Sequence, residues 1–261
     1  MLAELKKYKE LIYFLVHKEV RIRYRNSLFG FFWSLLEPLG LMIIYTIVFA
    51  LILKLSRGID NYPLYILSGL IPWVFFNDTL KKSMQSLSRN ASLIKKIYFP
   101  REIFPFTTLI ANVVANFLPA MLLVIALALI LQPGEISWFK MLFAPGIVLL
   151  QAVFTFGLSL VLSVLNVFYR DVVFISNLVL RGWMYLSPII YPLSFVPEEY
   201  FNFYVLNPMA VIVSLYHDLF YSNLQTVPTW SIFYVIVFSI IQLFVAMLIF
   251  KRLNRRVGEV I

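Results

Sequence analysis

The side chains that most often carry covalent chemistry are sparse in this sequence. There is no cysteine, which removes disulfides, thiolate zinc sites and cysteine nucleophiles. The two histidines, His17 and His217, lie far apart in the chain. The carboxylates that share a side with His217 are Asp60, Glu135, Glu198, Glu199 and Asp218, and they have no metal-ligand spacing. The sequence has no Gly-x-x-x-x-Gly-Lys-Ser/Thr phosphate loop, no Gly-x-Ser-x-Gly elbow and no His-Glu-x-x-His pair. No catalytic residue and no metal ligand is therefore assigned. His17 reads as a polar residue of a basic helix, and His217 with Asp218 as an interfacial polar pair.

Two other residue classes stand out. Glu37 and Arg181 are single charges inside long apolar runs. A charge at membrane depth costs at least a few kcal/mol, so it faces a bundle interior or a wet cavity. One expectation is that the two pair across a bundle; the other is that Glu37 lies where water reaches it. Aromatic residues are abundant, with 25 Phe, 15 Tyr and 5 Trp. Phe29, Trp33, Tyr45 and Phe49 share an i, i+4 row with Glu37, while Trp183, Tyr185 and Tyr191 cluster near Arg181. Flat apolar rings suit the faces of sugar rings in a sliding polymer. Most such aromatics in a membrane protein belong to interfacial belts instead.

The elements that hold these residues follow from composition. The chain has 261 residues, 61% hydrophobic and only 13% charged, about half the charge of an average soluble domain. A soluble enzyme, a disordered chain and a disulfide-stapled module are excluded on that ground. A spanning helix needs about 20 apolar residues. Five runs reach that length: Leu28–Leu53, Phe104–Leu131, Met141–Phe168, Val172–Tyr191 and Trp230–Phe250. Tyr62–Leu80 is a weaker sixth, holding Pro72 and Asp78. With six spans, every Lys and Arg except Lys54, Arg57, Lys140 and Arg181 falls on one side. Cytoplasmic loops carry that excess, so both termini are expected in the cytoplasm, and the net charge of +9 faces anionic headgroups rather than nucleic acid. The first strong span begins too late for a cleavable signal, so the N-terminus reads as uncleaved. The fold class is an all-α integral membrane protein of six transmembrane helices.

Between the spans, Leu11–Ser27 reads as an amphipathic helix, with Leu11, Ile12, Phe14 and Leu15 apolar and Lys18, Arg21 and Arg25 basic. The loop Lys81–Glu102 is long and ends near the pair Lys95-Lys96. Pro192–Thr229 is apolar in part but broken at Asn207-Pro208, which fits short re-entrant helices.

Six stretches, taken in order, resemble the transmembrane subunit of type-2 ABC exporters, in the branch that exports O-antigen and teichoic-acid polysaccharides. They are Val20-Arg-Ile-Arg-Tyr-Arg-Asn-Ser-Leu-Phe-Gly-Phe-Phe-Trp33 running into Glu37-Pro38; Ser68-Gly-Leu-Ile-Pro-Trp73; Asn90-Ala-Ser-Leu-Ile-Lys-Lys-Ile-Tyr-Phe-Pro-Arg-Glu102; Asn166-Val-Phe-Tyr-Arg-Asp171; Ser187-Pro-Ile-Ile-Tyr-Pro192; and Asn207-Pro-Met209. Many relatives carry Gln where this chain has Glu37.

The resemblance implies one transmembrane domain over residues 1–261. Within it, 1–30 would hold the amphipathic gate helix with Arg21, Arg23 and Arg25. Residues 81–103 would form the ATPase-coupling loop with Asn90, Leu93, Ile94, Lys95, Lys96 and Arg101. Residues 192–229 would be the outer re-entrant segment and 251–261 a cytoplasmic tail. Two copies would form a channel in the cytoplasmic (inner) membrane, lined by Trp33, Glu37, Tyr45, Phe49, Arg181, Trp183, Tyr185 and Tyr191. Two separate ATPase subunits would carry ATP and Mg, leaving no cofactor on this chain. The cargo would be a lipid-linked polysaccharide. Export of a drug, lipid or other small amphiphile by the same fold stays open, as does, more distantly, an enzyme acting on a lipid-linked sugar. A proton-coupled secondary transporter would show internal repeats and several buried ionisable groups, and neither is visible.

Overall fold

A computed structural model describes residues 7–24, 28–54, 56, 59–96, 99–133, 136–221, 224 and 226–260. Every regular element among them is a helix. In chain order these are α1 (Lys9–Tyr24), α2 (Trp33–Tyr45, continued as a π-helical stretch Thr46–Ile52), α3 (Tyr62–Met84), α4 (Ser86–Arg89) and α5 (Ala91–Lys96). Next come α6 (Ile103–Asn112), a π-helical stretch Val113–Phe117, α7 (Leu118–Leu131), α8 (Trp138–Met141), α9 (Ala144–Phe168) and α10 (Asp171–Tyr185). The chain closes with α11 (Glu198–Tyr204), α12 (Pro208–Phe220) and α13 (Thr229–Val260).

The core is built around α3. Asn61 turns the chain in the left-handed region (φ 50°), and Pro63 opens the helix where its missing N–H costs nothing. From Tyr62 to Met84 most side chains are buried, and α2, α6, α7, α9, α10 and α12 all pack on it. Polar side chains from those neighbours stitch to its backbone. Gln151 Nε2 donates to Pro72 O (2.7 Å), and Tyr216 Oη donates to Gln151 Oε1 (2.9 Å). Asn112 Nδ2 donates to Thr79 Oγ1 (2.7 Å) and Asn166 Nδ2 to Met84 O (2.9 Å). Between apolar helices in lipid, such bonds supply attraction that the hydrophobic effect does not. α9 and α13 form the largest helix pair. They meet at Gly157, where an added Cβ would collide with the Gln242 amide.

Four helical stretches have the length and apolarity to cross a bilayer: Trp33–Ile52, Ile103–Leu131, Trp138–Phe168 and Thr229–Gly258. A fifth arises only if α11 and α12, bent by 101°, count as one. The six expected spans are thus not all matched. α3 misses because its tyrosines, prolines, Asn77 and Asp78 dilute its apolar residues; at 23 residues it is still about 34 Å long at 1.5 Å per residue. α10 stops at Tyr185 after 15 residues, about 22 Å. The predicted fifth span to Tyr191 is therefore helix for only part of its length. The segment 251–261, expected as a tail, continues α13 through Val260.

Contacts define two ends of the bundle. At one, Lys18 meets Asn90 and Arg101 meets Asn254. At the other, Asn61 Nδ2 donates to Leu131 O (3.3 Å), Tyr221 Oη donates to Asn61 O (3.1 Å), and Lys140 pairs with Asp218 (2.8 Å). Asp218 therefore partners Lys140 rather than its neighbour His217. His217 is not interfacial: it is 4% exposed and stacked on Tyr65 at 3.9 Å and 5°. Gly69 makes room for it, since a Cβ there would lie 2.8 Å from two His217 ring atoms and 3.3 Å from the Ile189 Cα. Gly69→Ala is expected to lower stability in detergent by about 1–3 kcal/mol, the usual cost of overpacking. Gly40→Ala, with open space at its Cβ, is the matched control; equal melting of the two would refute the assignment.

Candidate functional site

α2 and α10 bury few of their side chains in the bundle. Only Ser34 and Pro38 are buried on α2, and only Leu180 on α10. The exposed side of α10 runs through Phe174, Ile175, Leu178, Gly182, Tyr185 and Leu186. This is the i, i+3, i+4 stripe of one helix face. The helices touch at Tyr45, whose Oη donates to Met184 Sδ at 3.9 Å.

The predicted lining residues divide into three groups. Trp33 (49% exposed) and Tyr185 (60%) are open, as are Glu37 and Arg181. Phe29, half exposed, sits edge-on to Trp33 at 5.7 Å. Glu37 edges a small recess with Ser34, Pro38, Ile71 and Asn116. Among the described residues no hydrogen bond or ion pair joins Glu37 to Arg181. Tyr45 and Phe49 are half-buried and edge-on to each other at 6.0 Å. Trp183 and Tyr191 are turned inward. Trp183 packs on Phe76 (5.3 Å), and its Nε1–H donates to Asn207 Oδ1 (2.7 Å). The Tyr191 hydroxyl bonds Tyr185 O (2.7 Å) and Tyr204 Oη (3.1 Å). Both half-buried side chains thus tie neighbouring segments together.

What they hold is the break after α10. Ser187, Ile189 and Ile190 are buried, so their peptide groups need partners inside the protein. Side chains of α3 and α12 provide them. Tyr62 Oη donates to Ile190 O (2.6 Å) and Tyr65 Oη to Tyr191 O (2.9 Å). His217 Nε2 lies 2.8 Å from Pro188 O. That carbonyl only accepts, so Nε2 carries hydrogen, and Nδ1 lies 2.8 Å from Ser68 Oγ, which also has Tyr65 O as an acceptor at 2.8 Å. Asn207 Nδ2 donates to Leu186 O (2.7 Å) while its Oδ1 caps α12 through Met209 N (3.0 Å). Sequence reasoning missed Tyr62, Tyr65 and Ser68 as parts of this assembly. The signal was Ser187-Pro188 and Asn207-Pro208, which mark where helices must stop.

At the basic end, α1 packs on α6 with Leu15 buried, while Tyr13 and Phe14 point outward. Arg21 is exposed; Arg25 and the side chain of Arg23 lie outside the described residues. Lys18, which was placed on the basic face, donates from Nζ to Asn90 Oδ1 (2.9 Å), and Asn90 Nδ2 donates to Ser86 O (2.8 Å). The loop expected here is mostly helical, as the end of α3 with α4 and α5. Leu93 and Ile94 rest half-buried on the core, and Lys95 and Lys96 are exposed. Arg101 reaches α13, donating from Nη1 to Asn254 O (2.8 Å) and Oδ1 (3.2 Å).

Long apolar helices with exposed apolar faces are what a multi-pass membrane protein presents. The chain belongs to the ABC-2 type transporter family, which it matches over residues 10–221. It is 31% identical over 254 residues to the O-antigen export system permease protein RfbA of Klebsiella pneumoniae, covering 97% of this chain and 95% of that one. The protein of the same name from Myxococcus xanthus is 31% identical over 225 residues, 85% of each chain. The polysialic acid transport protein KpsM of Escherichia coli is 23% identical over 238 residues, 90% of each.

Lys18 and Asn90 join α1 to the α4–α5 turn through one charge-assisted hydrogen bond at a part-buried position, a type worth about 1.5–3 kcal/mol. Lys18→Met and Asn90→Leu should each loosen α1, raising amide hydrogen exchange across Lys9–Tyr24 by about tenfold or more. The double variant should be no worse than either single. Unchanged exchange in both singles would show that the bond carries no weight.

Proposed function

We propose that this chain is the channel-forming permease subunit of an ATP-driven exporter. It moves a lipid-linked polysaccharide, of O-antigen or teichoic-acid type, from the cytoplasmic side across the cytoplasmic membrane. The observation that carries this reading is the open aromatic and apolar face of α2 and α10, with Trp33 and Tyr185 uncovered. Its cargo class is supported by the relatives named as O-antigen and polysialic acid transporters.

Two copies bring their α2–α10 faces together around the path. A cytoplasmic position for the basic end, and for both termini, is supported by the excess of Lys and Arg in α1, α4, α5 and the end of α13. There Lys95 and Lys96 face one of two separate ATPase subunits, which bind ATP and Mg. The chain itself performs no hydrolysis. ATP-driven movement at α5 passes through Asn90 and Lys18 to α1, and through Arg101 to α13. It displaces α2 against α10, and sugar rings slide over the exposed aromatics. Stacking without fixed hydrogen bonds lets successive residues pass with similar energy. The break after α10, capped by α11 and α12, closes the outer end.

The test is export by Trp33→Ala with Tyr185→Ala in a strain whose own copy is deleted. The wild-type chain should restore polymer to the cell surface and purify with its ATPase at equal stoichiometry. The double variant should slow polymer appearance by about tenfold or more, as expected if each ring contributes about 1 kcal/mol to the moving chain. ATP hydrolysis by the purified complex should persist. Export at the wild-type rate would remove the aromatic path, and a chain that purifies alone would remove the exporter.

A further inference from the structure

A second open feature shares no lining residue with the α2–α10 face. A groove of about 540 Å³ runs between α9, α12 and α13. Its walls are apolar, from Phe143 to Val153 on α9 and from Ile232 to Ile240 on α13, and Ser239 is the one polar residue deep in it. Lys140 and Asp218 stand at one end. The α9 wall rises about 15 Å at 1.5 Å per residue, half of a hydrocarbon core of about 30 Å. The groove therefore has the length of one leaflet.

Its charged end lies at headgroup level. Trp138 and Phe139 on α8 are 68% and 72% exposed beside Lys140, and Trp marks the boundary between hydrocarbon and headgroups. Lys140 and Asp218 pair at 2.8 Å, yet their side chains stay 30% and 34% exposed, so each offers an outer side to a ligand. A phosphate suits Lys140 but is repelled by Asp218. A primary ammonium suits Asp218 and can donate hydrogen bonds to it, which a quaternary ammonium cannot. A headgroup carrying both groups satisfies both side chains.

We infer that this groove is a binding site for a bilayer phospholipid with a phosphoethanolamine headgroup. One acyl chain fills the groove, the phosphate meets Lys140 and the ammonium meets Asp218. The site is separate from the proposed transport face and does not depend on what the chain exports.

Native mass spectrometry of the full-length chain in mild detergent tests this. The probe is an equimolar mixture of phosphatidylethanolamine, phosphatidylcholine and phosphatidylglycerol with identical acyl chains. The wild type should retain phosphatidylethanolamine about tenfold over either competitor, the scale of one charge-assisted hydrogen bond. Lys140→Ala with Asp218→Ala should keep lipid bound but equalise the three. Gly146→Trp, placed where an added Cβ meets nothing within 4 Å, should fill the groove and abolish retention without lowering the melting temperature. Ile236→Phe, on the opposite wall, replaces it if that variant does not fold. Equal retention of the three lipids by the wild type, or unchanged preference in the filled variant, overturns the site. So does cross-linking of Leu149→Cys to a second copy, which would make the groove a protein interface.

Discussion

A buried peptide group without a partner costs free energy on the scale of a whole stabilising interaction, and this chain leaves helical geometry in its interior just after Tyr185. The cost is met by side chains that meet on the break from two helices. Tyr62 and Tyr65 of α3 and His217 of α12 engage the carbonyls of Ile190, Tyr191 and Pro188, and Asn207 engages that of Leu186. The arrangement is possible only because α3 and α12 lie side by side and Gly69 lets the imidazole approach its backbone. Much else follows from this constraint. α3 must be central to present its tyrosines, so its flanks are claimed by α6, α7, α9 and α12. α10 must stop short, which leaves it with one buried residue and an open face.

The same economy of polar groups links the interior to the basic end. Asn112, Gln151 and Asn166 each hold α3 by its backbone or its Thr79 hydroxyl. Beyond Met84 the pattern continues through Asn90 to Lys18 on α1, and through Arg101 to Asn254 on α13. In lipid these bonds have few competitors, so a small number of them define which helices move together.

The long apolar runs were legible in the sequence because a bilayer demands length and hydrophobicity in one continuous stretch. α2, the α6–α7 stretch, α9 and α13 were all found that way. α3 was the weakest candidate yet is the center of the fold. Its burial comes from protein rather than lipid, so hydropathy understates it. The end of α10 was misplaced because Leu186 to Tyr191 is as apolar as the helix before it. Only Pro188 hinted at the change. Trp33, Glu37, Arg181 and Tyr185, expected as lining residues from type and spacing, are exposed. Trp183 and Tyr191 share the same composition signal but point inward, because helical phase and the position of Asn207 decide direction. His217 looked interfacial beside Asp218. Consecutive residues of a helix face different ways, and the two found partners on opposite sides.

The central claim is that the open face of α2 and α10 is the path of the exported polymer. The most direct measurement places a photo-activatable phenylalanine analogue at Tyr185 in cells making the polymer, with the same analogue at Leu122 on α7 as reference. Leu122 is equally exposed, 66% against 60%, on a helix outside the proposed path. Light should attach polysaccharide to the chain from position 185 and not from position 122, and only when the ATPase is active. Attachment at both positions alike, or at neither while export proceeds, would contradict the account.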